Sequence, residues 1–329
     1  MKNGIIDELI NTLTDTVNSK LDGLETDEEK EDFIASINQE KINEIFSSVI
    51  ENISSSSVDK MKETMFEKVI EFRAIENEFI ARLEQKWNRA FVASEAMYCM
   101  VLEVAEDYCE MVDSLDDENI EELKYRYIAL RSLHGRALQQ YLEIVTLMKN
   151  GFSDGAYSRW RSMYEVMHIS AFILHEDEEV AKAFIDVANS EDRYEWAKKS
   201  KKLETVTGKV QFSHIVKLSG VDKKIWDHQY KLANQVVHPS SQATFYRIGG
   251  SSIDGKMVIP VGRSDYGLTT PGEHSAIMLA QISNDFLMLF PERDSVLNMK
   301  CINKWIDIVR EEYFNVHNEI FDDAEKNEY

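Results

Sequence analysis

No proline occurs before Pro239; the four in the chain are Pro239, Pro260, Pro271 and Pro291. Proline removes a backbone donor and its ring clashes with the preceding turn, so long helices exclude it. Glycine agrees, because only Gly4 and Gly23 precede Gly135. Such a distribution predicts an all-α chain, helix after helix. At 329 residues it is long enough for one large core or two smaller ones.

Apolar spacing supplies the individual helices. Residues 1–52 read as an acidic arm of short amphipathic helices, marked by Ile5, Leu9, Leu13 and Val17, then by Phe33, Ile37, Ile42, Ile45 and Phe46. Asn52-Ile53-Ser54-Ser55-Ser56-Ser57 reads as a polar linker with Ser57 as a helix N-cap. Beyond it, Met61, Met65, Val69, Phe72, Ile75, Phe79, Leu83 and Trp87 recur at three and four, which predicts a long amphipathic helix to about Val112, or two with a break near residue 90. Asp116-Asp117-Glu118 opens the next helix with acids at the positive end of its dipole, and Asn150-Gly151 closes it. A helix from Ser153 to His175 follows and should pack antiparallel to its predecessor across so short a turn. Further helices are expected at 178–189, 191–202 and 221–238. After His238-Pro239 the pattern changes. Thr244–Ile248 and Lys256–Val261 flank a Gly/Ser-rich run, which predicts a β-hairpin or long loop within 239–271. Two C-terminal helices complete the chain from about 272 to 320, with a fraying acidic tail. The domain reading is an arm at 1–52 and a helical bundle at 58–329.

Charge is unevenly distributed. Of the net −22, residues 1–124 contribute −19 and residues 125–329 only −3. The acidic helices repel nucleic acid and are either a solvated surface or a docking face for a protein partner. Against this trend, residues 193–224 hold nine Lys+Arg against three acids. Lys198, Lys199, Lys201 and Lys202 are the candidates for phosphate contact there; otherwise the stretch is a solvated face pairing with the acidic arm. Cys99, Cys109 and Cys301 have no metal-ligand spacing and are expected as reduced, mostly buried thiols in a cytoplasmic protein. No signal peptide or apolar run of about 20 residues is present, so no membrane span is expected.

Three residue patterns could carry chemistry. Arg161, Glu165 and His168 share one helix face by spacings of four and seven. If buried, they need one another or a ligand, so the stripe is either a packing brace or a small polar site. Glu165-Val166-Met167-His168 also spells the Glu-x-x-His of di-iron bundles, but no second copy exists, so no metal is expected. Tyr230, Asn234 and His238 recur by fours at a helix end, where a histidine serves as a cap or as a general acid and base. The phosphate-cradling GxxxxGK[ST] and GxGxxG, the GxSxG elbow and HExxH are all absent, so no cofactor is expected.

The run Leu147-Met148-Lys149-Asn150-Gly151-Phe152-Ser153-Asp154-Gly155-Ala156, followed by Arg161-Ser162-Met163-Tyr164-Glu165, resembles a bacterial domain-of-unknown-function family, number 5677. In that family a helix ends in a Gly-aromatic turn, the next carries Arg-Ser-x-x-Glu, and a later helix ends in histidine, as Val236-Val237-His238 does here. The resemblance covers roughly 120–245 and implies no established activity. Ala233-Asn234-Gln235-Val236-Val237-His238 is also similar to the motif of HEPN domains, helical bundles that often act as ribonucleases. It keeps the Asn and His, with Ala233 where the Arg should be. That similarity implies a metal-independent ribonuclease in stress response or phage defence, acting on RNA at a homodimer interface. Arg161 would steady the scissile phosphate, His238 would act as acid and base, and Asn234 would orient it; alternatively Arg161 and His168 form the pair. The rival expectation is a non-enzymatic helical binding or scaffold module.

Overall fold

A computed structural model describes residues 2–36, 39–115, 117–186, 192–238, 241, 252–253, 256–257 and 261–326. The fold is all-α. The helices are α1 (Lys2–Asp22), α2 (Asp27–Ala35), α3 (Gln39–Asp113), α4 (Asp117–Lys149), α5 (Ser153–Leu174), α6 (Glu178–Asp186), α7 (Phe212–Leu218), α8 (Lys223–Val237), α9 (Thr269–Leu287) and α10 (Arg293–Lys326), with a 3-10 turn at Glu195–Lys199. The chain divides into two compact units, Met1–Asn77 and Glu78–Tyr329.

In the first unit α2 begins with a reciprocal cap. The Thr26 hydroxyl accepts the Glu29 N–H at 3.2 Å, and the Glu29 carboxylate accepts the Thr26 N–H at 3.0 Å. The expected linker at 52–57 is instead helical throughout, inside α3. Ser57 is therefore not an N-cap. Ser54 turns its hydroxyl back onto the Glu51 carbonyl at 2.9 Å, so it satisfies itself within the helix rather than ending it. The expected break near residue 90 is also absent. Of the arm's apolar markers, Ile37 and the side chains of Ile5, Leu9, Ile42 and Ile45 lie outside the described residues.

The second unit is built on one core. Trp87, Phe91 and Met97 from α3, Tyr141, Ile144 and Met148 from α4, and Leu279, Ile282 and Phe286 from α9 are all buried, as are Ile302, Val309 and Tyr313 from α10. Helix α5 lies within this core, buried at nearly every position from Met163 to Ile173. Its junction with α4 is a Schellman turn. The Gly151 N–H reaches the Met148 carbonyl and the Phe152 N–H reaches the Leu147 carbonyl, each at 2.9 Å, with Gly151 at φ 74°. Arg263 donates to the Asn150 carbonyl at 2.8 Å and lies over the Phe152 ring, so a distant loop clamps this turn. The ion pair Glu143–Arg159 and the hydrogen bond Gln140–Ser162 step in opposite directions along α4 and α5, as antiparallel packing requires.

Several expectations need correction. The helix expected at 191–202 is only the 3-10 turn, flanked by irregular backbone; residue 191 and residues 187–189 of the preceding helix lie outside the described residues. Two-residue strands, Ser252–Ile253 (β1) and Lys256–Met257 (β2), pair antiparallel. The expected strand Thr244–Ile248 lies outside the described residues. Helix α10 runs to Lys326 rather than fraying after Ile320. Cys99 and Cys301 are exposed rather than buried, and Cys109 is half-buried. Among the described residues no helix is long and apolar enough to cross a membrane.

Candidate functional site

Helical spacing places Arg161, Glu165 and His168 as expected, but they do not form one cluster. Glu165 is 7 % exposed. Its carboxylate lies 3.5 Å from Arg161 Nη2 and 2.8 Å from Arg193 Nη2. Arg193 reaches in from the irregular segment after α6, a partner that no local spacing announces. The half-buried Arg161 guanidinium also lies over the Tyr230 ring at 5.6 Å. One carboxylate between two guanidiniums pairs the buried Glu165 charge, while Arg161 Nε stays buried with no hydrogen bond among the described residues.

His168 turns elsewhere. It is fully buried, its Nδ1 sits 2.7 Å from Ser219 Oγ, and its ring meets Tyr164 edge-on. Burial, with the Lys223 charge adding to it, pushes the imidazole down to about 4, so it is neutral at pH 7. Ser219 also reaches the Val216 carbonyl at 3.0 Å. With its single proton there, Ser219 accepts from the His168 Nδ1–H. Among the described residues His168 Nε2 has no hydrogen-bond partner, and no carboxylate orients the ring as a hydrolytic triad would need.

Helix α8 carries Asn234 half-buried and His238 exposed at its C-cap, where the His238 N–H reaches the Asn234 carbonyl at 3.1 Å. Arg161 sits over Tyr230, and His238 is eight residues further on, about 12 Å along a helix. The lysine stretch is largely engaged nearby: Lys198 pairs with Glu195, Lys201 with Asp177 and Lys202 with Glu176, while Lys199 is exposed.

A concave feature of this unit lies where α9 faces the α7–α8 turn. It is a cavity of about 720 Å³. His274, Gln281 and Asp285 line it from one face of α9, and Ser219, Trp226 and Gln229 from the other wall. Asp285 is 5 % exposed. Its Oδ1 accepts from the Gln281 amide at 3.1 Å, and its Oδ2 and the Ser170 hydroxyl of α5 are both buried with no hydrogen bond among the described residues. Burial pushes the carboxyl up to about 7, against the opposing pull of Gln281 and Ser170. His274 is pushed down to about 4 by burial, with Arg310 adding to it. These residues were not singled out by sequence, although a signal existed. His274, Gln281 and Asp285 recur at seven and four along one face of α9. Among the described residues no group of His, Cys, Asp and Glu is arranged to hold a metal.

The model of a family of unknown function, DUF5677, matches residues 127–207. That stretch runs from α4 through α5 and α6 past the 3-10 turn, and takes in Arg161, Glu165, His168 and Arg193 but neither α8 nor α9. No curated protein and no solved structure matches the chain.

Proposed function

We propose that this protein is a helical docking module whose first unit receives a basic amphipathic helix from a protein partner. The observation that carries the reading is a run of large apolar side chains left in solvent on α3. Met61, Met65, Phe66, Phe72 and Ile75 are each at least 60 % exposed. Such a run is far longer than the scattered exposed apolar residues of an ordinary surface. Val58, Met61, Met65, Phe72 and Ile75 fall on the a and d positions of a heptad, the spacing that packs against another helix.

Charge selects the occupant. Residues 1–77 carry 8 Lys+Arg and 18 Asp+Glu, an acidic unit overall, while along the apolar run Glu63, Glu67, Glu71 and Glu76 alternate with Lys60, Lys62, Lys68 and Arg73. A basic helix complements that field. A second copy in parallel register would set Glu71 against the other chain's Glu76, like charge against like. The test uses a synthetic peptide with leucines at a and d and lysines at e and g, read by fluorescence anisotropy. Wild type is expected to bind at least tenfold tighter than Met65→Glu/Phe72→Glu, and a glutamate-flanked peptide is expected not to bind. Equal binding by both proteins overturns the reading. So does a concentration-dependent dimer that the double substitution abolishes.

One observation keeps the ribonuclease reading in view: His238 is exposed and Asn234 lies one turn before it. In that reading Arg161 would have to leave Glu165 or be supplied across a homodimer interface. RNA cleavage in the presence of chelator, lost in His238→Ala, would establish it. No cleavage, or equal cleavage, removes it.

A further inference from the structure

The exposed apolar run on α3 contains two sulfurs. Met61 and Met65 stand 67 % and 60 % exposed, one helical turn apart on the face that also carries Phe72 and Ile75. The second unit uses methionine differently, as core filler. Met97 from α3, Met148 from α4, Met163 and Met167 from α5 and Met278 from α9 are each at most 1 % exposed. Met288, at the C-cap of α9, is exposed but lies apart from the α3 face. A thioether is uncharged and packs as a hydrocarbon does, yet its sulfur keeps a lone pair that peroxides oxidise. A peroxide has to reach that sulfur, so exposure separates the α3 pair from the core methionines.

We infer that Met61 and Met65 form a reversible oxidation site, at which a peroxide switches this face of α3 from apolar to polar. At each residue the sulfur lone pair attacks the peroxide. An S–O bond forms as the O–O bond breaks, the thioether becomes a sulfoxide, and hydrogen peroxide is reduced to water. A dithiol reverses the step: it gives up two electrons, becomes a disulfide, and the sulfoxide oxygen leaves as water. The sulfoxide is a polar acceptor, costly to bury in an apolar seam. Both sulfurs occupy a and d positions, where a docked helix covers them. Oxidation therefore opposes docking, and docking shields the sulfurs from oxidation. That consequence rests on the docking reading above; the chemistry at the two sulfurs does not.

The test treats the full chain with hydrogen peroxide, stops the reaction with catalase, and maps each methionine by mass spectrometry. Met61 and Met65 are expected to convert about tenfold faster than Met97 and Met148. Equal rates overturn the assignment. Oxidised protein is then titrated with the lysine-flanked leucine peptide, which has no sulfur of its own. Its affinity is expected to fall about tenfold. It should return after treatment with methionine sulfoxide reductases of both stereospecificities and dithiothreitol. Undiminished binding by oxidised wild type overturns the switch. Met61→Leu/Met65→Leu keeps the seam apolar and is expected to bind the peptide equally before and after peroxide. If that variant still loses affinity, the effect comes from Met288 or from the exposed Cys99 and Cys301, and the switch is again overturned. A dye that fluoresces on apolar surface separates this inference from the docking reading. Untreated wild type that binds no peptide sinks docking alone. Dye fluorescence is still expected to fall on oxidation of wild type and not of the double leucine variant, and an unchanged signal in wild type overturns the switch.

Discussion

A methyl group on Gly272 would fall 2.4 Å from the ring of Tyr313, which is fully buried and cannot withdraw. Gly272→Ala is therefore expected to destabilise the second unit by about 1–3 kcal/mol, the usual cost of overpacking, read as a lowered Tm. Glu165 gives a second prediction. Removing it leaves Arg161 and Arg193 facing each other without their shared carboxylate, whereas removing Arg161 leaves Glu165 still paired with Arg193. Glu165→Ala should lower Tm more than Arg161→Ala does; the reverse order would mean the cluster is not a brace. The Arg161–Glu165 pair was legible in the sequence because both residues ride one helix. Arg193 and Ser219 were not, because they arrive from segments whose placement only the tertiary fold decides.

At the scale of the element, the serine run in α3 shows where local composition misleads. Serine weakens a helix by a few tenths of a kcal/mol per residue, and competes with it by bonding to backbone. In α3 that bond is made to a carbonyl of the same helix, so the chain continues. Proline would not be tolerated in the same way. Ser55→Pro is expected to cost about 3 kcal/mol of local helix stability. It should reduce the circular dichroism at 222 nm and open a protease site near residue 55. An unchanged spectrum and digest would restore the linker reading. The α4–α5 turn was readable from Asn150-Gly151 because its positive φ is a backbone demand that one residue type meets. The face of α9 was harder to read. His274, Gln281 and Asp285 matter only because a cavity lies in front of them, and no spacing along one helix reveals what another helix leaves empty.

Across the whole molecule the buried ionisable groups set the response to acid. Burial holds His134, His168 and His274 at about 4 in the folded chain, the last two helped by Lys223 and Arg310 respectively, against about 6.5 when unfolded. Below 6.5 the unfolded chain takes up protons that the folded chain refuses. The stability these three groups contribute is whole above 6.5 and is lost as pH falls towards 4. Asp285 works in the opposite sense: raised to about 7 from about 3.8, it contributes stability that is whole below about 3.8 and is lost as pH rises to 7. Three groups outweigh one, so Tm should fall between pH 6.5 and 4.5, and a flat profile there would contradict the burial of the histidines. The two effects separate in Asp285→Asn. Replacing a carboxyl that is ionised in the core at pH 8 but protonated at pH 5 should raise Tm more at pH 8 than at pH 5.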